Sequence, residues 1–246
     1  MTDTCGIDFL NNTKFHHLKM SDQMRGVKPP PLELPIDPTK KIIPLPDPRE
    51  TSHEPLPIGV AIEQRRSIRN YTKQPLSLGE LSYLLWATQG VQKTYPDSVT
   101  LRTVPSAGAR HALETYLLIN NVKTLKPGLY RFLALGHKLQ EYIISSDISD
   151  KIVSACLGQI FIKASAVTFL WTAIPQRMTW RYSDRGYRYL FLDVGHVCEN
   201  LYLCGESIQC GTCAIAAFLD DDLNSLLAID GNKQFVIYLA AVGKIE

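Results

Sequence analysis

An α+β domain is what the sequence predicts, and three observations carry the prediction. Apolar runs rich in β-branched and aromatic residues recur between positions 113 and 174 and again near the C-terminus. Helical spacings of three and four residues separate them, the longest from Gly186 to Ile208. Helices and strands alternate in both groupings, which gives an α+β or mixed-sheet domain, and no internal repeat is visible.

In chain order, residues 1–28 are polar and poor in periodic apolar positions. The segment Pro29 to Pro57 then holds 10 of the 15 prolines. Proline removes backbone donors and fixes its own φ, so the segment reads as extended, either a disordered tether or an arm lying on the body or on a partner subunit. The folded part is expected to begin near Leu56, giving an arm over 1–55 and a domain over 56–246. A short helix is expected at Gly59–Arg66, with Ile58, Ala61 and Ile62 on one side. PLSLGELSYLLWATQG is the clearest helix: Ser77 and Glu80 form a capping box, Leu78, Leu81, Leu85 and Thr88 share a face, and Gly90 stops it.

LETYLLI from Leu113, GLYRF and HKLQEYII read as successive antiparallel strands punctuated by Pro127-Gly128 and Gly136. ISDKIVSACLG is helical, AVTFLWTAI a buried strand. In the long helix, Leu190, Val194, Val197, Leu201, Cys204 and Ile208 form a continuous apolar stripe. Gly195 and Gly205 inside it each cost roughly 1 kcal/mol relative to Ala, which predicts close approach by another helix or a ligand. His196 is expected in the core. CAIAAF and FVIYLAAVG close the chain as strands around the helix DDLNSLLAI.

Composition excludes several classes. With 45% hydrophobic and 20% charged residues, the chain is neither fibrous nor wholly disordered. A net charge of +2 is too small for nucleic-acid or membrane-surface binding driven by net charge. No secretory signal or membrane span is read, and six sparse cysteines do not make a disulfide scaffold, so a cytoplasmic protein is expected. Walker A, GxGxxG, HExxH and GxSxG patterns are absent.

Two strings could carry chemistry. Arg65-Arg66-Ser67-Ile68-Arg69 places three guanidinium groups around a hydroxyl, which suits an anion such as phosphate as well as it suits a solvated basic patch. Thr103 to Ala109 is a turn of small residues, either a plain surface turn or a place where backbone amides approach a flat ligand. Cys210-Gly211-Thr212-Cys213 lacks the second CxxC or His pair of a zinc site, so ordinary packing is expected and no metal site is proposed.

RRSIRNY, LSLGELSYLLWATQG, RTVPSAGARHALETYLLI, WRYSDRGYRYLFLDVGHVCENLYLCGES and CGTCAIAAF, taken in this order over residues 56–246, resemble the nitroreductase-like flavoproteins, in particular the SagB-type dehydrogenase branch. The resemblance implies an FMN-binding α+β domain, with a mixed, mainly antiparallel sheet flanked by helices, in an intertwined homodimer. It assigns Arg65, Ser67 and Arg69 to the flavin, with Arg66 in the same cluster. Pro105, Ser106 and Gly108 would pass the flavin of the partner subunit. The strand after Gly211 would face the ring, where Ala216-Ala217 replaces a frequent glycine pair. Of a basic C-terminal tail, only Lys244 remains.

In the peptide-azoline dehydrogenases of this branch a Lys-Tyr pair stands where this chain has Arg181-Tyr182. Arginine cannot act as a base, so Tyr182 is the candidate general base and Arg181 a stabiliser of developing negative charge. The implied functions are an azoline-type dehydrogenase on a small-molecule or peptide substrate, an NAD(P)H-dependent nitro or quinone reductase, or a flavin-binding subunit without turnover.

Overall fold

The computed structural model describes residues 4–50, 56–95 and 99–246; positions 1–3 and 51–55 of the expected arm lie outside the described residues. The elements in chain order begin with α1 (Cys5–Asn12), β1 (Ile42–Pro44), α2 (Ile58–Gln64) and α3 (Leu78–Gln89). A hairpin of β2 (Val91–Tyr95) and β3 (Val99–Arg102) precedes the meander β4 (Leu113–Ile119), β5 (Gly128–Leu133) and β6 (Lys138–Ile143). Then come α4 (Ile148–Ala155), α5 (Phe161–Ala164), β7 (Val167–Ala173), α6 (Pro175–Tyr182) and α7 (Gly186–Ser207). β8 (Cys210–Ile215), α8 (Asp220–Leu226) and β9 (Phe235–Lys244) end the chain.

Seven strands form one sheet in the order β1-β6-β5-β4-β7-β9-β8, antiparallel at every ladder. The parallel pairings are two isolated bridges, Ser67 to Thr212 and Leu76 to Val122. Because side chains alternate across a strand, the sheet feeds two cores. Leu113, Leu117 and Ile119 of β4 pack on one face with residues of α3 and α7, while Tyr116 and Leu118 pack on the other with α4 and α8. Burial on both faces is why these strands read as nearly unbroken apolar runs.

The capping box of α3 is present as expected: Ser77 Oγ accepts from the Glu80 backbone N–H at 3.1 Å, and Glu80 Oε2 accepts from the Ser77 N–H at 2.8 Å. The stripe of α7 faces the core, and Gly205 lets β8 approach: a Cβ there would fall 2.9 Å from Thr212 Oγ1. Gly195 differs from the expectation, since a Cβ there would meet nothing within 4 Å. His196 differs too, being exposed on the outer side of the same helix. In α2, Ala61 alone is buried and Ile58 and Ile62 are exposed, so the apolar side expected to face inward faces out. The strand expected at Cys213 begins at Cys210, because pairing with β9 continues to Lys244.

The described part of the proline-rich stretch, residues 29–50, lies along the chain's own body. β1 adds a seventh strand beside β6, Arg131 donates to the Pro35 carbonyl at 2.9 Å, and Gln140 donates to the Asp37 carbonyl at 2.8 Å. Proline leaves carbonyls without matching donors, and buried side chains of the body supply those donors. Among the described residues, no helix is long and apolar enough to cross a membrane.

Candidate functional site

The arginine string runs along the free edge of β8. The Ile68 N–H donates to the Thr212 carbonyl at 3.0 Å, and Ser67 bridges Thr212 in parallel. The crossing is tight: a Cβ at Gly211 would fall 2.6 Å from Ile68 Cβ, so the strand needs glycine where the string passes. Tyr71 fixes the far end by donating to the Ile68 carbonyl at 2.8 Å.

From this rail Arg65, Ser67 and Arg69 are partly or fully exposed. Neither Arg65 nor Arg69 forms an ion pair among the described residues. The Arg65 guanidinium lies 5.4 Å from the centre of the Tyr202 ring, and that of Arg69 lies 5.8 Å from the Phe161 ring. Arg66 turns back onto the carbonyls of Glu63 and Arg65. Glu206 lies close by; burial raises its carboxyl above the ordinary range, opposed by the Arg66 N–H and the charges of Arg65 and Arg66. Two guanidinium groups outside any ion pair, Arg65 with the Glu206 carboxyl nearby, beside an exposed hydroxyl fit a phosphate that accepts several charged hydrogen bonds.

Tyr202, which the sequence reading did not single out, ties this cluster to the fold. Its hydroxyl lies 3.0 Å from Ser67 Oγ and accepts from the Ala214 N–H at 2.8 Å. It stands one residue after Leu201 of the apolar stripe, where the pattern reports only burial. Ala216 and Ala217 follow β8 and are exposed, with the Ala217 carbonyl accepting from Gln159 at 2.8 Å.

Lys244 is engaged elsewhere. Its buried ammonium donates to Glu80 Oε1 at 2.5 Å and to the Ile208 carbonyl at 2.6 Å. Burial alone would raise the Glu80 carboxyl, but hydrogen bonds from Lys244 and Ser77 hold it below its ordinary range. The cations facing outward on this rim are therefore those of the arginine string.

The small-residue turn forms a second cluster. Gly108 adopts φ +58°, the left-handed region that glycine tolerates. A Cβ there would fall 2.5 Å from Tyr182 Oη and 2.8 Å from Arg181 Cδ, so the turn and the Arg181-Tyr182 pair are in direct contact. The Tyr182 ring meets Tyr189 edge-on at 4.8 Å. Ser106 Oγ donates to Asp193 Oδ2 at 2.5 Å and accepts from the His111 N–H at 2.9 Å, while Pro105 is exposed. Asp193, another residue that the sequence reading missed, is buried in α7; desolvation raises its carboxyl despite those donors. Cys210 and Cys213 are buried in the core, and burial pushes the Cys210 thiol up to about 12, which keeps it neutral and a poor nucleophile.

The two clusters hang on one helix. Asp193 holds the turn and Tyr202 holds the arginine string, nine residues apart on α7, which is about 14 Å of helix axis.

A family profile described as "Nitroreductase family" matches residues 62–244. MJ1384 of Methanocaldococcus jannaschii, named as a nitroreductase, is 36% identical over 184 residues, covering 74% of this chain and 89% of the relative. Two Rhizobium leguminosarum bv. trifolii proteins are also similar. The trifolitoxin-processing protein TfxB is 26% identical over 52% of this chain, and the trifolitoxin operon protein TfxC is 24% identical over 73%. The chain spans 36% and 53% of their respective lengths.

Among solved structures, a Ralstonia eutropha protein named as a nitroreductase has a TM-score of 0.68 at 23% identity, covering 89% of this chain and 95% of that one. The E. coli microcin synthetase McbBCD complex with truncated pro-MccB17 bound gives 0.61 at 19%, covering 98% and 92%. A Desulfovibrio desulfuricans structure in complex with FMN gives 0.54 at 16%, covering 77% and 87%. These three share the fold.

Proposed function

This chain belongs to the nitroreductase family, and on that premise we propose that it is an FMN-dependent dehydrogenase of the SagB-like kind, acting on an azoline or similar C–N substrate in a peptide. The observation that carries the reading is the contact of Arg181 and Tyr182 with Gly108, which gathers a hydroxyl able to exchange a proton, a permanent cation and a glycine turn at one spot. The likeness to the trifolitoxin proteins and to the microcin synthetase complex supports a peptide substrate.

Bound FMN would supply the two-electron chemistry. Arg65, Ser67 and Arg69 would hold its phosphate and adjoining polar groups, with Tyr202 keeping Ser67 in place. Arg66 would add charge to that cluster. Pro105, Ser106 and Gly108 would line the ring side contributed by a second copy, and Ala216-Ala217 the opposite rim. Arg181 would stabilise the Tyr182 phenolate and negative charge developing on the substrate, and the phenolate would take the substrate proton and become the phenol. The 14 Å between the clusters supports completion of each site by two copies. So do Phe191 and Leu192, 55% and 59% exposed on α7 just before Asp193.

Purified protein is expected to be yellow and to take up one FMN per chain. Anaerobic stopped-flow mixing with a thiazoline-containing peptide is expected to bleach the flavin, and Tyr182→Phe to slow that bleaching at least tenfold while flavin stays bound. Full turnover in Tyr182→Phe would end the general-base role. A second reading, an NAD(P)H-dependent nitro or quinone reductase, is favoured by the name of the 36%-identical relative. Bleaching by NADPH and not by the peptide would select it.

A further inference from the structure

We infer that residues 23–34 of the N-terminal arm are a strap that positions the Arg181-Tyr182 pair, acting through Trp180 and Arg177. The inference rests on the reading of that pair as substrate-side residues. α6 is only two turns long, too short to hold itself in water, and it ends at Tyr182. Its position is set from outside.

Three hydrogen bonds from the arm do this, in register. The Gln23 N–H donates to the Trp180 carbonyl at 2.8 Å, the Trp180 indole N–H donates to the Val27 carbonyl at 2.8 Å, and Arg177 Nε donates to the Pro31 carbonyl at 2.8 Å. The arm thus runs alongside α6 in the opposite direction, from residue 180 back to residue 177. It is then anchored to the sheet, where Leu34 N–H donates to Glu114 Oε1 at 2.9 Å, the same oxygen that pairs with Arg177 at 2.6 Å.

Arg110, which follows the glycine turn, meets the same two residues of α6. Arg110 donates to the Arg177 carbonyl at 3.1 Å, and its guanidinium lies 4.7 Å from the centre of the Trp180 indole. Strap, α6 and turn are therefore stacked in one series, with Tyr182 and Arg181 at its end against Gly108. Proline at 29, 30 and 31 suits the strap, because a chain of fixed φ presents its carbonyls without the entropy of a flexible one. The arginine string at residues 65–69 is anchored at the other end of α7, so the strap acts on the substrate side of the site and not on flavin retention.

The test uses the full chain carrying 3-fluorotyrosine at position 182, with and without Trp180→Phe. That substitution keeps an aromatic ring beneath Arg110 and removes the donor to Val27 together with part of the indole's volume, so the thermal midpoint is read beside the rate. Expected in the variant are native FMN content and a thermal midpoint within a few degrees of the parent. The fluorine resonance should shift or split, and flavin bleaching should slow about tenfold, the rate equivalent of one lost hydrogen bond. The donor is whichever of NADPH or the thiazoline peptide bleaches the parent.

An unshifted single resonance with an unchanged bleaching rate would overturn the inference. So would a large fall in midpoint together with loss of FMN, which would make the contact a general support of the fold. If neither donor bleaches the parent, both the dehydrogenase and the reductase readings fail while the fluorine resonance still decides whether the strap sets Tyr182.

Discussion

His111 shows how a single buried group makes the turn sensitive to acid. Its ring lies 3.1 Å from the Thr100 carbonyl, and burial, helped by the charges of Arg102 and Arg110, pushes its pKa down from 6.5 to about 3. The folded chain therefore holds this ring neutral where the unfolded chain protonates it. Stability from this group is complete above pH 6.5 and is lost progressively as pH falls toward 3. At pH 5 the loss is about 2 kcal/mol, and His111→Gln should remove that part of the slope in urea titrations at pH 7 and pH 5. Gly108 makes the second residue-scale prediction. Gly108→Ala adds a Cβ into Tyr182 and Arg181 at a φ of +58°, and is expected to cost about 1–2 kcal/mol and to slow flavin bleaching more than it lowers FMN content. At this scale the sequence was partly legible. Ser67 and the arginines stand out by charge and spacing, which suit an anion as well as a solvated basic patch. Asp193 and Tyr202 do not, since one acidic and one aromatic residue within an amphipathic helix carry no local signal of what they touch.

Elements were most legible where their stabilisation is local. α3 is bounded by its capping box and by Gly90, and Ser77→Ala is expected to cost about 1 kcal/mol in a urea melt, because the Glu80 amide loses its acceptor. The stripe of α7 and the runs of β4, β5, β7 and β9 were equally plain, since alternation and three-four spacing follow from the geometry of strand and helix. Elements stabilised from a distance were not. β1 is three residues ending in proline and exists because β6 offers it an edge. α6, polar and two turns long, is held by the arm, by Arg110 and by Glu114. The exposure of Ile58 and Ile62 has the same origin, because which side of a short helix faces inward depends on what lies beneath it.

Over the whole molecule the arm becomes part of the body's hydrogen bonding. Arg131, Gln140 and Arg177 are buried donors whose acceptors are arm carbonyls. Deleting residues 1–45 takes away those acceptors, with Arg177 keeping Glu114, and strips β1 from the edge of β6, so a clear drop in thermal midpoint is expected where removal of a tether would cause none. Phe191→Glu tests the proposed pairing of two copies: sedimentation is expected to show a shift to monomer, with weaker FMN retention. The α+β class, most strand and helix positions, the clustering of the arginines at 65–69 and the family were readable in the sequence, because these rest on periodicity, turn chemistry and short motifs read within tens of residues. Only the tertiary structure decided that Lys244 is engaged by Glu80, that Gly108 meets Tyr182 and that the proline stretch straps α6. Each of these pairs residues that are from 74 to 164 positions apart along the chain, and which donor finds which acceptor is settled by packing, where a buried polar group must take whatever partner the fold brings to it.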